Sequence, residues 1–244
     1  MALFTDGPAS SLEDLQGHDS QLLDVAHTEG IDVTHKLGLA QDEVALEVST
    51  ILARLDGPGL EHVVVTPALK LWHTFRALEL VYRDAYNSQL NDRYAGKRDE
   101  YHGLAMWAHE KLVQSGIGIV LDPVPQGTPP VLTQAAGSLV DATYYVSAGW
   151  VNAAGEEGAT SHPGMITVIG GAFAAATNGA PANVREWNVY AGISPTSLIL
   201  QNANPLGLDE MWTQSSPPAT TGRQRCPGQT PNYVRPAARV LERG

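Results

Sequence analysis

Between residues 122 and 130 the chain reads DPVPQGTPP, four prolines in nine residues. Proline locks its own φ, donates no amide hydrogen, and pushes the residue before it out of the helical region. No helix runs through such a stretch, so what folds before it and what folds after it must be built differently. The hydrophobic pattern agrees. Apolar residues upstream recur with a helical period, and those downstream fall into short alternating runs broken by Gly, Pro, Asn and Ser. The segment itself reads as a stiff, exposed connector between two domains.

Upstream, SSLEDL offers Ser10 or Ser11 as an N-cap with acidic residues two to three positions on, the pattern of a capping box. A second short helix is expected over SQLLDVAH, closing at Gly30. In LAQDEVALEVSTILARLDGPG, Val44, Val48, Ile51, Leu52 and Leu55 share one helical face, and Gly57-Pro58-Gly59 ends it. The strongest helix opens at Thr66-Pro67, a cap followed by the helical position that proline favours. Leu71, Phe75, Leu78 and Tyr82 line its buried face. A last helix is expected from about Asn91 to Ser115, with Tyr101, Leu104, Ala105, Ala108 and Leu112 inward and Gly116 as its stop. Short connections between long helices favour antiparallel neighbours.

Downstream, strands are expected at PVLTQA, ATYYVSAGWVN, GMITVIGG, REWNVYAG and TSLILQ. In YYVSAGWVNAAGEEGATS, residues Tyr144, Val146, Ala148, Trp150 and Asn152 fall at intervals of two, with Gly155 three further on. That run resembles the fibronectin type III family, in which Tyr-x-Val-x-Val-x-Ala-x-Asn leads into a Gly-containing turn. Ala148 and Trp150 replace the usual residues and change only packing. The fold class expected is therefore α+β and multidomain. An up-and-down α-helical domain is followed by an immunoglobulin-like antiparallel β-sandwich. The boundaries are residues 1–122 for the helical domain, 123–130 for the linker, 131–234 for the sandwich and 235–244 for a C-terminal tail.

No convincing constellation for catalysis is visible, and no enzyme activity or cofactor is expected. The chain lacks a phosphate-binding loop and a nucleophile elbow. Of eight histidines, no two form a His-x-x-x-His pair. His102 and His109 share a helix face seven residues apart, and a metal there would need further ligands. Asp99-Glu100 and Glu156-Glu157 are adjacent pairs, not carboxylates facing each other across a cleft. Cys226, the only cysteine, excludes an internal disulfide and reads as a spectator thiol. Trp150, Trp187, Tyr190 and Trp212 suit either a sugar-stacking platform or a core, and alternation favours the core. No signal peptide or membrane-spanning run is visible.

Charge is lopsided. Residues 1–125 hold 19 Asp/Glu against 9 Lys/Arg, and residues 126–244 hold 7 against 6. An acidic body argues against reading of nucleic acid sequence, which needs cations on phosphates. It leaves open a surface past which DNA slides without sticking.

In the helical half, Leu69 and Trp72 are followed by Arg93, Tyr94, Lys97, Arg98 and Tyr101, and then by Ala108, Leu112, Gly116 and Ile117. This pattern, over about residues 38–122, resembles the small helical head–tail adaptor, or connector, proteins of tailed bacteriophages. The resemblance implies a virion structural protein, assembled in the host cytoplasm and located in the neck. It implies a homo-oligomer, a dodecameric ring, bound to the portal protein on one side and to neck or tail proteins on the other. DNA would pass through its lumen without sequence-specific binding, and no membrane is involved. Family members are usually shorter, so the β-half is a departure. The rival reading is a surface- or carbohydrate-binding adhesion module carried on the helical domain. Finally, in VRPAARVLERG, Arg235, Arg239 and Arg243 recur every four residues with Val240 and Leu241 beside them. They read either as a solvated tail or as assembly contacts seeking an acidic surface.

Overall fold

The computed structural model describes residues 1–89 and 92–235 of the 244-residue chain. It divides into two compact units: Gly7–Ile119 with the chain from Pro231 onward, and Met1–Asp6 with Val120–Thr230. The first is helical and the second is an antiparallel β-sandwich.

The helical unit contains α1 (Leu12–His18), α2 (Leu22–Glu29), α3 (Val33–Arg54), α4 (Pro67–Gln89) and α5 (Ala95–Ser115). Ser11 caps α1 with both halves of a capping box, its partner being Asp14. Gly30 closes α2 in the left-handed conformation. α3 begins earlier than its apolar stripe suggests, because the Asp32 carboxylate accepts from the His35 amide and caps the helix there. Thr66 Oγ1 accepts from the Leu69 amide at the head of α4. Gly116 ends α5 at φ +98°, its amide on the Leu112 carbonyl. The three long helices pack α3 on α4 and α4 on α5. Between them lie Val44, Val48, Leu52, Phe75, Leu78, Tyr82, Tyr101, Ala108 and Leu112, all buried.

A short two-stranded ribbon completes this unit. β1 (Ile117–Ile119) pairs antiparallel with β10 (Asn232–Val234). Residues 232–234 therefore belong with the helices and not with the sandwich, which corrects the expected boundary at 234.

The β-unit packs two sheets face to face. One has the order β2 (Val131–Ala135), β5 (Ala172–Ala176), β9 (Trp212–Gln214). The other has β4 (Gly164–Val168), β3 (Ala142–Asn152), β6 (Val184–Gly192), β7 (Ile199–Leu200), with β8 (Leu206–Gly207) also pairing with β6. This is an immunoglobulin-like sandwich in which β4 leads across to the facing sheet and β6 returns. One core holds Val146, Ala148 and Trp150 of β3, Phe173 and Ala175 of β5, and Trp187 and Val189 of β6. Trp150 and Trp187 sit opposite each other in register, both fully buried.

The proline-rich segment is not the free connector its composition suggests. Val124, Gly127 and Pro130 are buried. The amides of Val124, Gln126 and Gly127 donate to Gln229 Oε1, Asp6 Oδ1 and the Ala159 carbonyl. Asn183 Nδ2 donates to the Pro123 carbonyl at 2.7 Å. The prolines supply no donors, and the amides of Val124, Gln126 and Gly127 between them are paired inside the β-unit. Residues 1–6, expected with the helices, also join this unit. The Met1 ammonium donates to the Gln229 carbonyl at 2.7 Å, and Leu3 and Phe4 are buried. Proteinase K is accordingly expected to spare residues 123–127. Rapid cleavage there, read by mass spectrometry of the fragments, would restore the exposed-linker picture.

Candidate functional site

Most of the polar clusters are engaged internally. Ser10 Oγ lies 2.5 Å from His73 Nδ1, a serine–histidine pair that sequence spacing gave no hint of. Ser10 is 3 % exposed and His73 not at all, and His73 Nε2 is bonded to the Leu37 carbonyl at 3.2 Å. A nucleophile needs access, and this pair has none. It pins the N-terminal segment onto α4 and α3.

Asp19 is buried beneath two phenols: Tyr82 and Tyr101 donate to its Oδ2 at 2.7 and 2.9 Å. Burial works against ionisation there. The phenol and backbone hydrogen bonds and Lys97 outweigh it, so the carboxyl stays below its ordinary value. In the β-unit, Glu157 is likewise buried, accepting from Asn188 Nδ2 at 2.9 Å, Tyr190 OH at 2.8 Å and Arg223 Nη2 at 2.5 Å. Its neighbour Glu156 points elsewhere, accepting from Asn152 and Gln229. Burial raises the Cys226 thiol above its ordinary value, with Sγ 3.7 Å from the Glu157 carbonyl. These groups tie the chain together.

The aromatic platform is not assembled. Trp150, Trp187 and Tyr190 are fully buried, and Trp212 packs against the edge of the core. Among the described residues, no group of three or more His, Cys, Asp or Glu side chains is placed to hold a metal ion. His102 and His109 are engaged separately. His102 Nδ1 is 3.0 Å from Glu79 Oε1, and the His109 ring lies 4.8 Å from that of Trp72. Among the described residues, no helix is long and apolar enough to cross a membrane.

One surface that stays open is a face of the helical unit. α3 supplies Glu43, Leu46 and Glu47; α4 supplies Trp72, Arg76 and Glu79; α5 supplies Met106 and His109. Each set repeats at three, four or seven residues, so each is one face of its helix. Together they form a groove of about 350 Å³. A second hollow along α5, lined by Met106, Trp107 and Glu110, adjoins it at Met106 and His109. Leu46 is 71 % exposed, Met106 58 % and Trp107 46 %. Apolar side chains this exposed and this close together form the kind of patch that marks an interaction surface.

The rim is acidic and ordered. Arg76 bridges Glu43 and Glu79, with Nη1 2.6 Å from Glu79 Oε2. Burial disfavours the guanidinium charge, but those two carboxylates more than offset it and raise its affinity for the proton. That leaves Glu47 and Glu110 beyond the reach of Arg76. His109 Nε2 is buried and makes no hydrogen bond, the nearest carboxylate being Glu47 Oε1 at 3.9 Å. An apolar floor flanked by carboxylates is suited to an apolar segment carrying cations.

Of the expected assembly contacts, Arg235 is placed and is partly spent: its Nε donates to the Ser115 carbonyl at 3.0 Å, capping the end of α5. Arg239 and Arg243 lie outside the described residues. Sequence reasoning missed the groove because it sorted α5 by its inward face. The signal was present in Met106-Trp107, two large apolar residues on the face opposite Tyr101 and Ala108. No family model matches the chain, and no curated protein or solved structure matches it.

Proposed function

We propose that the protein is a structural component of a tailed-phage virion, a head–tail adaptor whose copies form a ring between portal and neck or tail. The observation that carries this reading is the groove on α3, α4 and α5, a built and partly charged apolar surface without a partner in the single chain. A protein whose polar clusters are spent on its own cohesion, and whose open surface is apolar, acts by binding other proteins. The resemblance of residues 38–122 to adaptor proteins gives that binding its setting. An excess of acidic charge suits a lumen past which DNA moves without being held. The adhesion-module reading loses its aromatic platform to the core.

Sedimentation and negative-stain imaging of the purified chain test the reading together. Concentration-dependent assembly into closed rings of about a dozen copies is the expected result. A protein that stays monomeric at high concentration and yields no rings would remove its support.

A further inference from the structure

Of the chain's nine asparagines, only Asn178 precedes a glycine. The pair lies between β5 and β6, outside both strands, and both residues are exposed. Gly179 sits at φ +66°, and beyond its chain neighbours no atom lies within 4 Å of the place a Cβ would take. Among the described residues, the Gly179 amide donates to no acceptor and the Asn178 side chain makes no hydrogen bond. The nearest polar group is the Thr128 hydroxyl, 3.5 Å from the Asn178 main-chain carbonyl oxygen.

In an Asn-Gly pair the main-chain nitrogen is a nucleophile one residue from a carboxamide carbon. A side chain on the second residue normally crowds the attack, and glycine has none. Hydrogen bonds and regular backbone are the other restraints, and every other described asparagine keeps at least one. Asn87 lies in α4 and Asn232 in β10. Asn152 Oδ1 accepts from the Ala154 and Glu156 amides. Asn183 Nδ2 donates to Asp122 and to the Pro123 carbonyl. Asn188 and Asn202 are buried and bonded to each other. Asn204 precedes a proline, which has no N–H to lose. The two Asp-Gly pairs are closed as well. The Asp6 carboxylate accepts from the Leu3 and Gln126 amides, and the Gly57 amide donates to the Leu52 carbonyl.

We infer that Asn178 is a site of spontaneous modification, where the folded protein converts its own asparagine, through a cyclic imide, into isoaspartate and aspartate. The Gly179 nitrogen gives its proton to solvent base and bonds to Asn178 Cγ. The Cγ–Nδ2 bond breaks, and Nδ2 takes up a proton and leaves as ammonia. Water then opens the five-membered ring. Attack at Cγ gives aspartate, and attack at the main-chain carbonyl carbon gives isoaspartate. Water is the only co-reactant, and nothing is oxidised or reduced. Either product replaces a neutral amide by a carboxylate. Isoaspartate also runs the backbone through the side chain, so the β5–β6 connection gains one atom and the former main-chain carbonyl beside Thr128 becomes a free carboxylate. Old and new copies of the chain therefore differ in charge and in backbone at this turn, whatever the helical unit binds.

The test ages the purified full-length protein in mildly alkaline buffer made with heavy-oxygen water. Peptides are followed by mass spectrometry with electron-transfer fragmentation, which tells isoaspartate from aspartate. Asn178 should be lost at least tenfold faster than Asn87 or Asn183, gaining one heavy oxygen and yielding isoaspartate. A parallel sample in urea gives the rate of the open chain, and native Asn178 should react within tenfold of it. Gly179→Ala should slow the loss at least tenfold. Because alanine is strained at a positive φ, Asn178→Gln provides a second variant that keeps the glycine. Its ring would need six atoms, so residue 178 should stay amidated at least tenfold longer while circular dichroism matches the parent. Survival of Asn178 alongside Asn183 in the native protein, with rapid loss in urea, would show that the fold protects the turn and would overturn the inference. Aspartate without isoaspartate would mean direct hydrolysis of the amide and would overturn the cyclic route.

Discussion

Replacing Glu157 by alanine is expected to destabilise the β-unit by about 3 kcal/mol, because it strands two buried donors at once. The carboxylate lies on the outer face of the β3–β6 sheet, opposite the tryptophans. Alternation along β6 sends Trp187 and Val189 into the core and Asn188 and Tyr190 to Glu157. It is admitted there because residue 149 is a glycine, since a Cβ at that position would run into the Glu157 carboxylate. Removing the carboxylate leaves the Asn188 amide and the Tyr190 hydroxyl without their acceptor. Both residues are at least nine-tenths buried, so water does not easily substitute. Arg223 is a smaller loss, because its side chain is half exposed and can return to solvent. A shift of about 3 kcal/mol in a unit of this size lowers Tm by roughly 15 °C. The chain's one thiol supplies a local readout. Cys226 sits against the Glu157 carbonyl, so its alkylation by a small reagent should accelerate in Glu157→Ala well below Tm. Arg223→Ala should move both quantities far less. An unchanged melting temperature and unchanged thiol protection in Glu157→Ala would show that the cluster adds no net stability.

The groove left its trace in Met106-Trp107, but Glu157 could not be read from spacing, and the reason is physical. Glu156-Glu157 looks like a solvated turn pair because adjacent carboxylates rarely share an environment. What buries one and not the other is the return of residues 223–228 over the sheet, a long-range closure that leaves no local trace. β5, AFAAA, escaped for a different reason: alanine has little strand preference, and its place between β2 and β9 is set by facing residues. β1 and β10 pair across more than a hundred residues, and three residues each give no pattern. Where local physics does decide, the chain is legible. Ser11 with Asp14, Thr66 with Pro67, Gly30 and Gly116 each end or begin a helix where their chemistry requires it. β3 covers the expected ATYYVSAGWVN without change, since a strand with one face in the core must alternate. The proline-rich segment shows the limit of composition: it forbids a helix, as expected, but says nothing about whether the remaining amides find partners.

Acidification from pH 6.5 to 4 is expected to cost the helical unit about 3 kcal/mol through His73 alone. The imidazole is fully buried, with Ser10 Oγ on Nδ1 and the Leu37 carbonyl facing Nε2. That pairing suits the neutral ring with its proton on Nε2, donating to Leu37 and accepting from the serine hydroxyl. Burial lowers the pKa from 6.5 to about 4, and the Leu37 carbonyl and the more distant Asp14 carboxylate only partly oppose it. In the unfolded chain the ring takes up its proton near 6.5, whereas the folded protein resists until about 4. The unfolded state therefore binds more protons across that interval, and stability is fully present above 6.5 and lost as pH falls toward 4. At 1.36 kcal/mol for each unit, the interval amounts to about 3 kcal/mol. Asp14 and Asp19 act in a separate window. Their carboxyls are held below 3.8, so the stability they lend is lost only at still lower pH. The check is urea denaturation followed by circular dichroism at 222 nm, which reports the helices, at several pH values between 4 and 7. His73→Gln should be less stable than the parent at pH 7, because the amide fills the site less well. It should also lose the steep fall between pH 6.5 and 4, so that the two curves converge on the acid side. Parallel curves, with the same pH slope in both proteins, would mean that His73 is not the group that titrates.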